Sequence, residues 1–122
     1  MPSTIIDSAI FQGIFSTDEM RHVWSDENRT EQYLDIEAAL AKVQGELGLI
    51  PAEAAEEIIS HCHLDQMDLP RLRQQTERIG YPILAVVSQI NQLCRDGLGE
   101  YVHWGATTQD ITDTATVLQI RE

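Results

Sequence analysis

The chain has 122 residues, which is enough for one modest domain or for part of a larger one. Hydrophobic residues make up 43% of the sequence, which permits a packed core and argues against intrinsic disorder. Because 20 acidic residues outweigh 8 basic ones, the net charge is −12, which argues against a surface for nucleic acid or for an anionic membrane.

The sequence also indicates the cellular compartment in which the protein is expected. No apolar run is long enough to span a membrane, and residues 1–15 do not have the basic-then-apolar pattern of a signal segment. The two cysteines, Cys62 and Cys94, lack the spacing of a zinc site. We therefore expect free thiols in a reducing cytoplasm.

Apolar periodicity and helix-start signals predict an all-α chain. Residues 1–15 are apolar but weakly patterned, and we expect them to pack on the body of the protein or on a neighbouring subunit. Ser16 and Glu19 have the spacing of a capping box, and Ser25 and Asp68 are predicted to begin later helices. The predicted helices cover residues 18–24, 27–47, 52–62, 69–79 and 82–96, with a last one from about 110 to 122.

The second of these helices has the clearest periodicity. Its apolar residues recur at intervals of three and four, which predicts one buried face. That face consists of Tyr33, Ile36, Leu40, Val43 and Leu47.

A short cluster, His61, Cys62 and His63 with Asp65 nearby, raises the question of a metal site. Neighbouring residues on a helix point to different sides, so these side chains could not easily face one ion. Histidines near the negative end of a helix explain the cluster better, and no metal or other cofactor is expected.

The start of the last predicted helix is rich in polar side chains. Gly105 allows a sharp bend, and Thr107, Thr108, Gln109 and Asp110 then precede an apolar rhythm. Hydroxyls and unpaired backbone N–H groups at a helix start suit an anion such as a substrate carboxylate. The alternative is that Thr108 or Asp110 only caps the helix.

No Gly or Pro stop signal follows in this last helix before Glu122. We expect it to expose an apolar stripe unless another copy of the chain covers it. The intermolecular contact would then involve one of two sets, Ile111, Ala115 and Leu118, or Thr114, Val117 and Arg121.

Residues 103–115, which read HWGATTQDITDTA, resemble the first signature region of the fumarase/aspartase superfamily. The pattern His-x-Gly-x-Thr-Ser/Thr-x-Asp-x-x-Asp-Thr is long and specific. Residues 15–49 are also similar to the opening of these proteins, through WSDENR at 24–29 and EAALA at 37–41. The resemblance covers nearly the whole chain and is strongest to the branch that holds adenylosuccinate lyase and bacterial 3-carboxy-cis,cis-muconate cycloisomerase.

This resemblance implies an N-terminal helical domain, residues 1–108, followed by the start of the first long helix of a central bundle, residues 109–122. In the family, four subunits pool such helices into a twenty-helix core, so the resemblance implies a homotetramer. It also implies that the chain is the N-terminal part of a larger enzyme.

The family removes a proton next to a carboxylate and expels a leaving group from the neighbouring carbon, or runs this reaction as an addition. The carbanion is stabilised as an aci-carboxylate, so hydrogen-bond donors must lie where that charge develops. By resemblance, Thr107 and Thr108 match carboxylate-binding positions, and Gln109 and Asp110 match polar positions of the same loop. His103 matches a histidine that binds or orients the substrate.

The general base of the family is a serine on a mobile glycine-rich loop that lies downstream of the first signature. Neither that loop nor the second signature has a match in these 122 residues. Family active sites also draw on three subunits. No catalytic residue is therefore assigned here, and the chain alone is expected to have no lyase activity.

Sequence details favour the cycloisomerase, which adds an internal carboxylate across a double bond to form a lactone. Residues 77–83 lack the histidine of the Arg-His-Asp motif that serves the nucleotide in adenylosuccinate lyases. Residues 80–82 and 117–121 resemble the branch that acts on aromatic acids. The alternatives are a C–N lyase that releases fumarate, like adenylosuccinate lyase, and a non-catalytic helical interaction module.

Overall fold

The computed structural model describes residues 3–122 and contains no β-strand in that range. Seven α-helices follow one another within these residues: α1 (Gln12–Phe15), α2 (Asp18–Val23), α3 (Asp26–Glu46), α4 (Ala52–His61), α5 (Leu69–Ile79), α6 (Ile83–Leu93) and α7 (Thr108–Arg121). Two short 3₁₀ helices, Leu64–Gln66 and Leu98–Tyr101, lie in the connections. The all-α prediction is confirmed, and the six predicted helices agree with α2–α7 to within three residues at each end. None of the described helices is long and apolar enough to cross a membrane.

The helix starts largely follow the sequence signals. Ser25 and Asp68 cap α3 and α5 as predicted, each accepting a backbone N–H three residues later, at 3.1 and 3.0 Å. The cap of α2 was predicted one residue too early, because Thr17 takes that position. The hydroxyl of Ser16, which follows α1, instead donates to the carbonyl of Gln12, the first residue of α1, at 3.0 Å.

Helix α3 is the element against which α4 and α7 pack. The predicted buried face is only partly right, because Tyr33 is buried while Val43 and Leu47 are exposed, Leu47 by 69%. Ile36 and Leu40 are half-buried. The fully buried stripe instead runs through Asn28, Thr30, Tyr33, Leu34, Glu37 and Ala41.

Small residues explain why the buried stripe leaves Val43 and Leu47 outside. A Cβ added at Gly45 would lie 2.6 Å from the Cβ of Ala55 on α4, so the two helices approach closely there. Gly45 lies one turn beyond Ala41, on the same side of α3. The closest contact between the helices is therefore made through small side chains, and the larger apolar side chains of that turn face away from it.

The core is formed jointly by α3, α4, α6 and α7. Leu34, Ile58, Ile83, Ile90 and Ile111 are its largest fully buried apolar side chains, and all four helices contribute at least one. Burying one such side chain contributes about 1.5–3 kcal/mol. This core holds the beginning of α7 against α3.

The N-terminal segment, defined here as residues 3–16, differs from this body. It contains α1, a four-residue helix that the sequence did not predict. Its apolar side chains are largely exposed: Ile5, Ile6, Ile10, Phe11, Ile14 and Phe15. The prediction that they pack on the body is therefore wrong for these residues, whereas packing on a neighbouring subunit stays a prediction. Met1 and Pro2 lie outside the described residues.

Helix α7 packs within the chain more completely than the sequence suggested. Ile111 and Ala115 are buried against the body, together with Gln119, and Leu118 is half-buried. These positions are therefore not available for the first predicted intermolecular contact. The second set remains exposed, with Val117 at its centre. The proposed domain boundary after residue 108 falls in the first turn of α7 and stays a prediction.

Candidate functional site

The loop that joins the second 3₁₀ helix to α7, residues 102–107, is called the signature loop below. Two of its residues have left-handed backbone conformations, Gly105 at φ +71° and His103 at φ +61°. Glycine adopts this conformation readily, whereas a histidine does so at a cost, so contacts with its surroundings must hold His103 there. The backbone N–H of Ala106 donates to the carbonyl of His103 at 3.2 Å, which closes the turn.

Side chains on either side stabilise this loop. The side-chain amide of Gln44, on α3, donates to the carbonyl of Trp104 at 2.7 Å. The ring of Trp104 lies against that of Tyr101, with centroids 5.5 Å apart. A shallow cavity of about 320 Å³ lies between the loop and α3, and it is lined by Ile36, Leu40, Gln44, Trp104, Gly105, Ala106, Asp110 and Ile111.

Two larger cavities lie elsewhere in the described residues. One of about 950 Å³ lies between α3 and α5, and one of about 820 Å³ lies between the N-terminal segment and α2. Neither is lined by any of the predicted site residues. The signature loop and the start of α7 therefore lie on an open face, where a small ligand would be only partly enclosed by this chain.

At the start of α7, Thr107 is the N-cap residue and Thr108 is the first helical residue. The carboxylate of Asp110 accepts the backbone N–H of Thr107 at 2.9 Å, and the two residues form a capping box. The sequence left the cap open between Thr108 and Asp110, whereas the N-cap is Thr107 and Asp110 is its partner three residues later. Within residues 3–122, the backbone N–H groups of Thr108 and Gln109 have no acceptor. Two donors and the positive end of the helix therefore remain available to an anion.

The negative charge of Asp110 lies at this same helix end. Because its carboxylate is held on the N–H of Thr107, it satisfies one donor and partly offsets the helix dipole. Thr108 is half-buried, whereas Thr107, Gln109 and Asp110 are exposed. The arrangement can hold one carboxylate through the remaining N–H groups and the Thr108 hydroxyl.

The signature loop is joined to the middle of α3 by a polar pair. Nδ1 of His103 lies 2.5 Å from Oε1 of Glu37, across a sequence separation of 66 residues. The Glu37 side chain is fully buried, and the His103 side chain is 17% exposed. The other carboxylate oxygen of Glu37 has no hydrogen-bond partner among residues 3–122.

Burial raises the pKa of the Glu37 carboxyl above its ordinary value, because the charged form loses its hydration. The hydrogen bond from His103 and the charge on its ring oppose that rise. A carboxyl group with a single polar partner and no water contact is unusual in a core, so the pair stands out as a candidate functional feature.

Comparisons with known proteins were made for the whole chain. No family model matches it. The chain is 55% identical over 122 residues to trans-aconitate decarboxylase 1 from Mycosarcoma maydis, which covers 100% of this chain and 25% of that protein. It is 44% identical over 108 residues to adenylosuccinate lyase from Methanocaldococcus jannaschii, covering 88% of this chain and 23% of that protein.

Among solved structures, the 3-carboxy-cis,cis-muconate lactonizing enzyme from Pseudomonas putida superposes with a TM-score of 0.85 and 32% sequence identity, covering 93% of this chain and 27% of that one. The chain belongs to the fumarase/aspartase superfamily. It spans about a quarter of the length of the relatives it matches. Its helices correspond to the N-terminal helical part of the superfamily fold, as the sequence predicted.

The structure places His103 and Thr107 in the signature loop, and Thr108 and Asp110 in the first turn of α7 that follows it. Gln109 lies in the same turn, where its backbone N–H is available and its side chain is exposed. Their roles toward a substrate stay predictions.

Sequence reasoning missed Glu37 as a site residue. In the sequence, Glu37 stands out only as the first residue of the run at 37–41 that resembles the opening of superfamily proteins. The available signal was its position four residues after Tyr33 and four before Ala41, on the buried stripe of α3. A charged residue in the middle of an apolar stripe needs a buried partner, and that partner lies 66 residues away.

Both ring nitrogens of His61 have protein partners. Nδ1 lies 2.7 Å from the side-chain oxygen of Gln66, and Nε2 lies 3.2 Å from a carboxylate oxygen of Glu57. Cys62 is buried, and burial raises the pKa of its thiol to about 12. Among residues 3–122, no group of three or more His, Cys, Asp or Glu side chains could hold a metal ion.

Proposed function

We propose that this chain supplies the carboxylate-binding side of the active site of a superfamily lyase or cycloisomerase. The observation that carries the proposal is the start of α7. There the Thr108 hydroxyl and the available N–H groups of Thr108 and Gln109 follow a loop in which His103 is held by a buried carboxylate. Such a set of donors suits a small carboxylate substrate.

The proposed chemistry passes through a carbanion next to that carboxylate. A C–N lyase forms this carbanion by removing a proton, whereas the cycloisomerase forms it when the internal carboxylate adds to the double bond, after which the carbanion takes up a proton. As the carbanion forms, negative charge moves onto the carboxylate oxygens, and the hydrogen bonds from Thr108 and the helix N–H groups strengthen. A donor that strengthens in this way stabilises the transition state more than the bound substrate, so it raises kcat. The general base is proposed to lie outside these residues, and the site to be completed by other subunits of a homotetramer.

The proposed substrate is a polycarboxylate. The names of the relatives contain aconitate, succinate and carboxymuconate, each of which carries more than one carboxylate. The cycloisomerase reaction on 3-carboxy-cis,cis-muconate, favoured by the sequence details around residues 80–82, is one candidate. The 55% identity to trans-aconitate decarboxylase 1 over the whole chain favours a second candidate, loss of carbon dioxide from trans-aconitate.

The binding role is tested by replacing Thr108 with Val in the natural protein that carries this sequence. The valine keeps the shape of the side chain and removes its donor. We expect kcat/KM to fall by roughly 10²–10³, the usual loss for one donor of the oxyanion-hole type. Steady-state kinetics of the two proteins, with thermal melts beside them, measure this loss.

Thr116→Val is the matched control, because Thr116 lies on the exposed side of α7 and its hydroxyl donates to the carbonyl of Thr112 at 2.9 Å. It should leave kcat/KM unchanged. Equal kinetics for Thr108→Val and wild type would contradict the proposed site. A melting temperature lowered by several degrees with kcat/KM intact would show that Thr108 serves the helix only.

The substrate is tested by incubating the natural protein separately with 3-carboxy-cis,cis-muconate, trans-aconitate and adenylosuccinate. Lactone formation supports the cycloisomerase, carbon dioxide release supports the decarboxylase, and fumarate release supports the C–N lyase. Turnover of none of the three would favour the non-catalytic interaction module.

A further inference from the structure

The contact between Glu37 and His103 joins two elements that are remote in sequence. Glu37 lies in the middle of α3, and the core fixes its backbone. His103 lies in the signature loop with a positive φ, a conformation that is costly for a residue other than glycine. Such a conformation persists where the surroundings determine it, and the 2.5 Å hydrogen bond to Glu37 does so here together with the bond from the Ala106 N–H to the His103 carbonyl.

This contact leaves one ring nitrogen for a ligand. An imidazole has two nitrogens, and the bond that one of them makes determines which nitrogen faces other partners. Nδ1 is engaged by Glu37, and Nε2 has no partner among residues 3–122. Because the ring is 17% exposed, solvent or a ligand can reach it, and Nε2 is the atom available to them.

The number of protons that the Glu37–His103 pair holds determines whether Nε2 is a hydrogen-bond donor or an acceptor. If the pair holds two protons, either as carboxylate with imidazolium or as carboxylic acid with neutral imidazole, Nε2 carries a hydrogen and is a donor. If the pair holds one proton, that proton lies between the two groups and Nε2 is an acceptor. Only the two-proton pair can donate to a substrate carboxylate.

We infer that Glu37 is a positioning residue, which orients the His103 ring through Nδ1 and keeps Nε2 as the N–H donor toward the substrate carboxylate. The inference rests on the proposed function, because it assigns a new residue to the same site. Glu37 acts through His103 and does not touch the substrate.

The surroundings favour the two-proton pair. The second oxygen of Glu37 has no partner among the described residues, so the ring is the one polar group that offsets the buried carboxylate. Cys62, at the end of α4, is the other titratable group on which the charge of Glu37 acts. Its thiol stays protonated, because burial and that charge raise its pKa to about 12.

The first test observes the His103 ring directly. Long-range ¹H–¹⁵N spectra of the ¹⁵N-labelled chain at neutral pH resolve its 4 histidines and show which ring nitrogens carry a hydrogen. In the wild-type chain we expect Nε2 of His103 to carry a hydrogen and Nδ1 to face Glu37. A His103 ring without a hydrogen on Nε2 would overturn the inference.

A matched control is available in the same chain. Glu57 and His61 form a second carboxylate–histidine pair, with atoms 3.2 Å apart, but both side chains are partly exposed. Glu57→Gln should therefore change the ring-nitrogen signals of His61 less than Glu37→Gln changes those of His103. If Glu37→Gln does not fold, the wild-type spectrum still decides, because a His103 ring without a hydrogen on Nε2 would overturn the inference.

The second test is kinetic and uses the natural protein. Glu37→Gln should lower kcat/KM about 10- to 100-fold at neutral pH, the usual cost of losing an outer hydrogen-bond partner of a functional histidine. Combining Glu37→Gln with His103→Phe should add no further loss to that of His103→Phe alone, because Glu37 acts through His103. An equal loss from Glu37→Gln with and without His103 would indicate a structural role only and overturn the inference.

The two proposals can fail separately. If Thr108→Val lowers kcat/KM and Glu37→Gln does not, the carboxylate site stands and the role of Glu37 is refuted. If Glu37→Gln lowers kcat/KM only when His103 is present and Thr108→Val has no effect, Glu37 and His103 act together at a site that does not include the start of α7.

Discussion

The helical body formed by α3, α4, α6 and α7 and the N-terminal segment, residues 3–16, are both rich in isoleucine, yet they bury it very differently. Ile58 and Ile90 in the body are 0% exposed, whereas Ile10 and Ile14 in the segment are 80% and 75% exposed. Apolar composition alone therefore does not determine burial. A side chain is buried when its helix is long enough to present a stripe and a neighbouring helix has a surface that fits it.

The body meets both conditions. Helix α3 has 21 residues and presents small residues toward α4, where Gly45 allows the close approach of Ala55. The segment meets neither, because α1 has only 4 residues and none of them is buried. Changes in the body should therefore be costly, and matched changes in the segment should be nearly silent.

The largest expected effect comes from Ile58→Ala, in the centre of the body. Ile58 is fully buried on α4, so the substitution removes apolar contacts and leaves a cavity. We expect the free energy of unfolding to fall by about 2–5 kcal/mol. Urea denaturation of the chain, followed by circular dichroism at 222 nm, measures this loss.

Ile10→Ala makes the same chemical change in the N-terminal segment. We expect it to alter the free energy of unfolding by less than about 0.5 kcal/mol, because the side chain is 80% exposed. Equal losses for the two variants would show that the segment is packed in solution and would remove the contrast between the regions.

A smaller effect is expected from Gly45→Ala, at the contact of α3 with α4. The new Cβ would lie 2.6 Å from that of Ala55, so the helices must separate. Overpacking costs about 1–3 kcal/mol. Alanine also stabilises a helix interior by about 1 kcal/mol relative to glycine, so the net loss is expected to be about 0–2 kcal/mol.

Gly13→Ala is the control for that substitution, because a Cβ there meets no atom within 4 Å. It should leave the stability unchanged or raise it slightly. Adding Ala55→Gly to Gly45→Ala removes the close contact and should recover part of the lost stability. If the effects of the two substitutions are purely additive in this double-mutant cycle, the steric explanation is refuted.

The last expected effect concerns Glu37 and appears as a pH dependence. The pKa of its carboxyl is raised in the folded chain, mainly by burial, above the ordinary value of 4.5. The folded state therefore binds the proton more tightly, and this contribution to stability is present below about pH 4.5 and is lost as the pH rises through the folded-state pKa. Relative to Glu37→Gln, the wild-type chain should lose stability between about pH 4 and 6, by at most about 1.4 kcal/mol per pH unit.

Urea denaturation of the two proteins at several pH values in that range measures the difference. The range stays below the ordinary pKa of histidine, about 6.5, so the histidines of the unfolded chain keep their charge throughout. A difference that grows in favour of the wild type as the pH rises would show that the hydrogen bond from His103 outweighs the burial of Glu37.

The sequence by itself determined the helices and most of their starts. Caps such as Ser25 and Asp68 are local, since each satisfies a backbone N–H three residues away, and helical periodicity is also read within one segment. The polar start of α7 was visible for the same reason. The family followed from the long pattern at residues 103–115, which spans a single loop and helix start.

Only the tertiary structure decided which faces are covered and which polar groups meet. The buried stripe of α3 depends on how closely α4 approaches at Gly45, so Val43 and Leu47 could not be assigned from their spacing alone. The pairing of Glu37 with His103 joins residues 66 positions apart, and nothing local to either one indicates the other. Contacts of this kind depend on how helices pack, because packing brings distant segments together while local patterns describe one segment at a time.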